Sequence, residues 1–247
     1  MKYIGLVLTL LVACAAATAA DYGREKKWAD EILPGLVVGD AVWLEAEGHK
    51  FLGLYAATAK PRAAVIVVHG IGVHPDWGLI GTLRTGLADM GYATLSIQMP
   101  VLAADAKPED YAPTMPESAS RIAAAVKFLQ EKAPQKPIAI VAHSLGARMA
   151  GEYLRREPQT PLSAYVAIGL SAPFPPLSSP RPPIFDLYGS ADLPQVLAAA
   201  KEREGSLSHR PLSRQARIEG ADHFFTGKEQ NLLRAVDMYL ETVMAPR

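Results

Sequence analysis

Ser144 stands in Ala142-His143-Ser144-Leu145-Gly146, which joins the apolar run Ile138-Ala139-Ile140-Val141 to a helical pattern with no loop between them. A serine at such a junction sits on a sharp turn. Its hydroxyl is held clear of the strand, and the adjacent helix N-terminus favours developing negative charge. The residues two before and two after must be small, because strand and helix backbones nearly touch there. Gly146 meets this fully, and Ala142 is one methyl larger than glycine. The plainer reading is an ordinary helix N-cap serine. Serine attacks a carbonyl only when a base takes its proton. Of the six histidines, His223 in Asp222-His223-Phe224-Phe225 falls between the last strand pattern and the last helix pattern, where a loop can reach back to the serine. The imidazole in turn needs an acid to hold its tautomer. Asp192, in Gly189-Ser190-Ala191-Asp192, follows the strand-like run Ile184 to Tyr188. Asp186 lies inside that run and Asp222 adjoins the histidine, so both approach the ring less well. The order Ser144…Asp192…His223 is one of the known chain orders of a nucleophile, its acid and its base.

A carbonyl attacked by serine becomes an oxyanion, which two backbone donors stabilise. The Leu145 N–H, directly after Ser144, is one. The second is expected from His69-Gly70-Ile71-Gly72-Val73, a loop whose glycines allow close approach of backbone to substrate; Ile71 N–H is the first choice and Gly72 the neighbouring one. Trp77, Phe174 and Phe224 are candidates to line an acyl pocket, and a plain core role is the alternative for each. His143 is read as packed beside the turn, with its side chain directed away from the serine hydroxyl. His69, His74 and Asp76 lack the spacing of a metal site, so no metal and no cofactor is expected. Arg84, Arg148, Arg155 and Arg156 read as solvated helix faces.

These groups must be positioned by regular elements. Val42 to Glu45 and Lys50 to Tyr55 flank Glu47-Gly48 and read as a strand hairpin. Ala63 to Val68 is a continuous apolar run, as suits a strand buried on both faces. Helix and strand patterns then alternate. Helices are expected over Trp77 to Met90, around Ala119 to Leu129, over Leu145 to Arg156, over Pro194 to Glu204 and from Leu232 to Val243. Strands are expected over Tyr92 to Ile97, Ile138 to Val141, Ala164 to Leu170, Ile184 to Tyr188 and Arg214 to Ile218. Pro100 to Pro116 reads as a polar loop. Ser171 to Pro183 carries six prolines and cannot be regular structure. Repeated strand–helix units after a hairpin imply an α/β class: a mostly parallel sheet with helices on both faces. Ligands of such sheets sit beyond the carboxyl ends of the strands, where each candidate residue falls.

The whole chain has 247 residues, with 25 basic and 25 acidic side chains. That balance gives no net field to recruit nucleic acid or an anionic membrane. A hydrophobic fraction of 49% suits one well-cored domain, read here as residues 41–247 after a lead-in over residues 21–40. Residues 1–20 read as an export signal: Lys2, the apolar stretch Ile4 to Val12, then small residues through Ala17-Thr18-Ala19. This predicts a periplasmic or secreted protein. Leu11-Val12-Ala13-Cys14 also resembles a bacterial lipoprotein box, in which case Cys14 would carry a lipid and tether the chain to a membrane. Cys14 is the single cysteine, so no intrachain disulfide can form.

From about residue 42 to the end, the chain resembles the α/β-hydrolase-fold proteins. The resemblance rests on His69-Gly70, Ala142 to Gly146, Gly189 to Asp192 and Asp222 to Phe225, in that order on the expected elements. His74-Pro75-Asp76-Trp77 and Leu95 to Pro100 resemble an exported bacterial branch of that superfamily whose function is poorly assigned. The resemblance implies a serine hydrolase of small-molecule carboxylic esters, with Ser144, His223 and Asp192 as its triad. The alternatives are a non-catalytic relative that binds a ligand or an envelope partner, and an amidase or acyltransferase with the same triad. Two departures from the pattern stand out: Ala142 in place of glycine, and no long insertion after Leu170, so no large lid is expected and short acyl chains are favoured.

Overall fold

The computed structural model describes residues 20–244. Residues 1–19 of the expected export segment, including Cys14, lie outside the described residues. One eight-stranded sheet forms the centre. Its strands are β1 (Asp40–Ala46), β2 (His49–Ala56), β3 (Ala64–Val68), β4 (Ala93–Ile97), β5 (Ile138–His143), β6 (Leu162–Ile168), β7 (Ile184–Gly189) and β8 (Arg214–Ile218). They lie side by side in the order β1-β2-β4-β3-β5-β6-β7-β8. The β1–β2 and β2–β4 pairs are antiparallel, and all others are parallel. This is the expected architecture, hairpin included.

Every residue of β3, β4 and β5 is buried. Alternate side chains feed two core layers. On one face Ile66, Val68, Ile140 and Ala142 pack with α3 (Met115–Lys132) and α4 (Leu145–Arg156). On the other, Val65, Val67, Val141 and Val166 pack with α2 (Gly78–Asp89) and α6 (Glu229–Met244). Full burial of such aliphatic side chains stabilises by about 1.5–3 kcal/mol each, which explains why β3 is uniformly apolar; in β4 the buried Thr94 and Ser96 hydroxyls donate to the carbonyls of Arg84 and Pro75 instead. Ala142 places its methyl in the first layer, so the departure from glycine is absorbed by packing.

The segment read as a lead-in contains a helix, α1 (Tyr22–Ile32). Its Asp21 N-cap accepts a hydrogen bond from the Arg24 N–H at 2.9 Å. Ala29 and Ile32 bury against Leu52 and Leu54 of β2. Glu25 turns inward and receives a forked pair of hydrogen bonds from Arg121 of α3, at 2.9 and 3.1 Å. Burial pushes the Glu25 carboxyl up to about 7 against the pull of Arg121. A second wholly buried ion pair, Arg203 Nε to Asp186 Oδ2 at 2.8 Å, ties α5 (Pro194–Leu207) to β7. The stretch Pro100 to Pro116 is not all loop: Pro108–Thr114 winds into a 3₁₀ segment leading into α3. Ser171 to Pro183 has no regular structure, as its prolines dictate.

Candidate active site

The chain leaves β3 to form β4 on one side and crosses back to place β5 on the other. Such a reversal opens a crevice at the carboxyl ends of the two central strands. His69 and Gly70 follow β3 at that point, and Ser144 follows β5. Ser144 adopts φ 56° and ψ −122°, a left-handed conformation that is strained for a residue with a side chain. The strain turns the chain from strand to helix within one residue and projects the hydroxyl upward. Gly146 is required: a Cβ there would run into the backbone carbonyls of His69 and Val68. Gly70 is tight to a lesser degree, since a Cβ there would lie 3.1 Å from that of Ser144.

His223 reaches this turn from the loop between β8 and α6. Its Nε2 lies 3.0 Å from Ser144 Oγ, and its Nδ1 lies 2.6 Å from Asp192 Oδ1. With the proton on Nδ1 donated to Asp192, Nε2 is left to accept from the serine hydroxyl. Asp192 Oδ1 also accepts from Leu193 N–H at 2.8 Å, and Oδ2 accepts from Gly189 N–H at 3.3 Å. Burial raises the Asp192 pKa, but these donors and His223 outweigh it and hold the carboxyl below its ordinary value. Asp186 faces Arg203 and Gln215 instead, and Asp222 accepts from the N–H groups of Phe224 and Thr226. Neither meets the imidazole.

Three neighbours hold this arrangement: His143, which the sequence placed beside the turn but directed away from the site and which in fact lines it, His69 of the His69-Gly70 pair, and Gly169, which the sequence did not announce. His143 is buried, and its Nε2–H donates to the His223 carbonyl at 2.9 Å. Burial holds its pKa down to about 4, so the ring is neutral. Gly169, left-handed at φ 59°, ends β6 where a Cβ would lie 3.0 Å from His223 Cε1. A glycine at a strand's carboxyl end was the available signal. His69 donates from Nδ1 to the Gly70 carbonyl at 2.8 Å and accepts at Nε2 from Met99 N–H at 2.9 Å. Burial keeps it neutral, with its pKa down to about 3. It thereby fixes the loop beside Ser144.

Ser144, His143 and His223 open into a cleft of about 240 Å³. Leu145 and Ile71 both line it, and neither N–H has an acceptor among the described residues. Gly72 does not line it. Its backbone is left-handed (φ 68°), and its carbonyl accepts from Arg24 at 3.4 Å. Trp77 and Phe224 line the cleft and meet edge to face, with centroids 5.4 Å apart. Phe174 does not: it packs on the core layer beside Tyr165, 6.2 Å between centroids, because its proline-rich segment folds down there. Arg84 is no solvated residue; it is buried and paired with Asp76 at 2.6 Å. A roomier hollow of about 530 Å³ lies between α1 and the β1–β2 hairpin, away from Ser144 and with no serine, threonine or cysteine in its lining. Among the described residues no group of three His, Cys, Asp or Glu side chains could hold a metal ion, and no helix is long and apolar enough to cross a membrane.

Known structures share this framework. An α/β serine hydrolase without lid from Xanthomonas campestris superposes with a TM-score of 0.64 at 14% identity, covering 86% of this chain and 98% of its own. This is the α/β-hydrolase fold. A dienelactone hydrolase from Anabaena variabilis shares the fold with a TM-score of 0.67 at 19% identity, over 83% of this chain and 97% of its own. An esterase from Pyrococcus furiosus shares it with a TM-score of 0.67 at 17% identity, over 85% and 98%. In sequence, residues 18–120 match a family described as a protein of unknown function (DUF3530). No curated protein matches the chain significantly. Within the α/β-hydrolase fold, Ser144 occupies the strand-to-helix turn after β5, and no lid domain is inserted after β6.

Proposed function

We propose that this protein is a serine hydrolase of carboxylic esters with short acyl chains. The observation that carries the reading is the unbroken line from Ser144 Oγ to His223 Nε2 and from His223 Nδ1 to Asp192, at 3.0 and 2.6 Å. In this reading His223 takes the Ser144 proton as Oγ bonds to the ester carbonyl carbon. The oxyanion accepts from the Leu145 and Ile71 N–H groups. His223 then gives its proton to the departing alcohol, leaving an acyl-serine. Water, deprotonated by His223, attacks that acyl group; collapse releases the acid and returns the proton to Ser144. Asp192 stabilises the imidazolium formed in each half. Esterases among the structures of the same fold support hydrolysis as the reaction class. The leading residues 1–20 favour work outside the cytoplasm.

Purified protein assayed on 4-nitrophenyl esters tests this. The expected result is turnover that disappears in Ser144→Ala with folding unchanged. Equal rates for the two proteins would contradict it.

A further inference from the structure

Arg148 stands on the first turn of α4 and lines the same cleft as Ser144. It is half-buried, and among the described residues its guanidinium has no hydrogen-bond or ion-pair partner, the nearby Glu152 pairing with Arg155 and Arg156 instead. Arg155 donates to that acid at 2.6 and 2.8 Å and Arg156 at 2.6 Å. No acidic side chain lines the cleft. Ser171, Gln195 and the neutral His143 add only uncharged polar groups, while Trp77, Leu193 and Phe224 make the wall apolar. The charge of Asp192 lies behind His223, occupied by the imidazole and two N–H groups.

An arginine keeps its charge at any ordinary pH, and its planar fork matches a carboxylate bidentately. In a narrow, largely apolar cleft that charge is screened less than at an open surface. We infer that Arg148 is an anion subsite of the cleft, and that the preferred substrates are esters bearing a carboxylate a few atoms from the scissile carbonyl. The inference rests on Ser144 being the nucleophile. The anion can belong to either side of the ester bond: to the acyl part, as in a dicarboxylic half-ester, or to the alcohol.

Paired substrates test it. For the acyl side, 4-nitrophenyl hemiglutarate is compared with 4-nitrophenyl pentanoate. For the alcohol side, 4-acetoxybenzoate is compared with its methyl ester. Rates are corrected with Ser144→Ala. The wild type is expected to favour the anionic member of at least one pair by about tenfold in kcat/KM, with the preference shrinking as salt rises. Arg148→Gln is expected to abolish the preference while leaving the neutral ester within about threefold, and Arg148→Lys to keep part of it. A wild type with no anionic preference in either pair, or a preference that survives Arg148→Gln, would overturn the inference while ester hydrolysis itself stands. Absence of Ser144-dependent turnover on all four esters would overturn the hydrolase reading and this inference together.

Discussion

His143 donates its Nε2–H to the carbonyl of His223, and this 2.9 Å bond joins the residue before Ser144 to the loop that carries His223. The two rings lie 4.7 Å apart. Ser144 and His223, far apart in sequence, are thereby held in register by a third side chain that bonds to neither hydroxyl nor ring. His143→Phe keeps a ring but loses the donor, and is expected to lower kcat by about tenfold as the base wanders from Ser144. His143→Gln, which can still donate, is expected to lose less. Equal losses in the two variants would point to packing rather than to the bond.

The same residue predicts a pH effect on stability. Burial holds His143 near about 4 in the folded chain, against the ordinary 6.5. Between those values the unfolded chain binds more protons than the folded one. The contribution is therefore complete above about 6.5 and is lost as pH falls toward 4, at up to ~1.4 kcal/mol per pH unit. Urea unfolding from pH 7 to 4 should show a flatter curve for His143→Gln than for the wild type. Parallel curves would mean that His143 titrates normally in the fold.

Asp192→Asn removes the negative charge that holds the proton on His223 Nδ1. An amide can present its N–H to that nitrogen instead and stabilise the wrong tautomer. The expected loss in kcat is about 10³–10⁴-fold, with thermal stability nearly unchanged. Asp222→Asn, whose carboxylate serves only local N–H groups, is expected to stay within about threefold. A reversal of the two effects would reassign the acid.

Arg203→Met strips the cationic partner from Asp186, a carboxylate with no exposed surface, and leaves it only the Gln215 amide. Burial already raises the Asp186 pKa despite Arg203. Unfolding measurements should show a loss of about 3–5 kcal/mol. Asp186→Asn combined with Arg203→Met should recover part of it. A loss below about 1 kcal/mol would mean that water reaches this pair.

The cleft's size bears on the acyl chain. About 240 Å³, bounded by Trp77 and Phe224 and with no lid domain to extend it, leaves little room beyond a short chain. Each further methylene gains ~0.8 kcal/mol only while it stays inside. A series of 4-nitrophenyl esters should peak between roughly two and six carbons and show no jump at the micellar threshold. Activity rising steadily to sixteen carbons would show that Ser171 to Pro183 opens into a larger acyl channel.

The central strands were legible because both-face burial writes itself as unbroken apolar runs, and Ala64–Val68 falls where its run puts it; the edge strand Arg214–Ile218 carries two arginines and a glutamine, has no buried residue, and was placed by its position in the strand–helix alternation. Ser144, Asp192 and His223 could be singled out because each stands just beyond a strand end. The cleft wall was less legible. Phe174 and Phe224 are both aromatic residues in loops, and only the paths of those loops lay one against the core and bring the other to the opening. α1 was hidden because its mostly polar sequence buries only Glu25, Ala29 and Ile32, and the partner of Glu25, Arg121, lies far along the chain. Arg148 was hidden for a related reason: a cation on a helix reads as solvated until the cleft beside it is known.

The central claim is that Ser144 is an activated nucleophile. A fluorophosphonate probe, which reacts only with a serine whose proton can be taken, tests this without knowledge of the substrate. The folded protein is expected to gain one adduct, located by peptide mass spectrometry at Ser144, and Ser144→Ala and His223→Ala are expected to gain none. A folded protein that remains unlabelled, or one labelled equally after Ser144→Ala, would contradict the account and leave a binding protein built on a hydrolase fold.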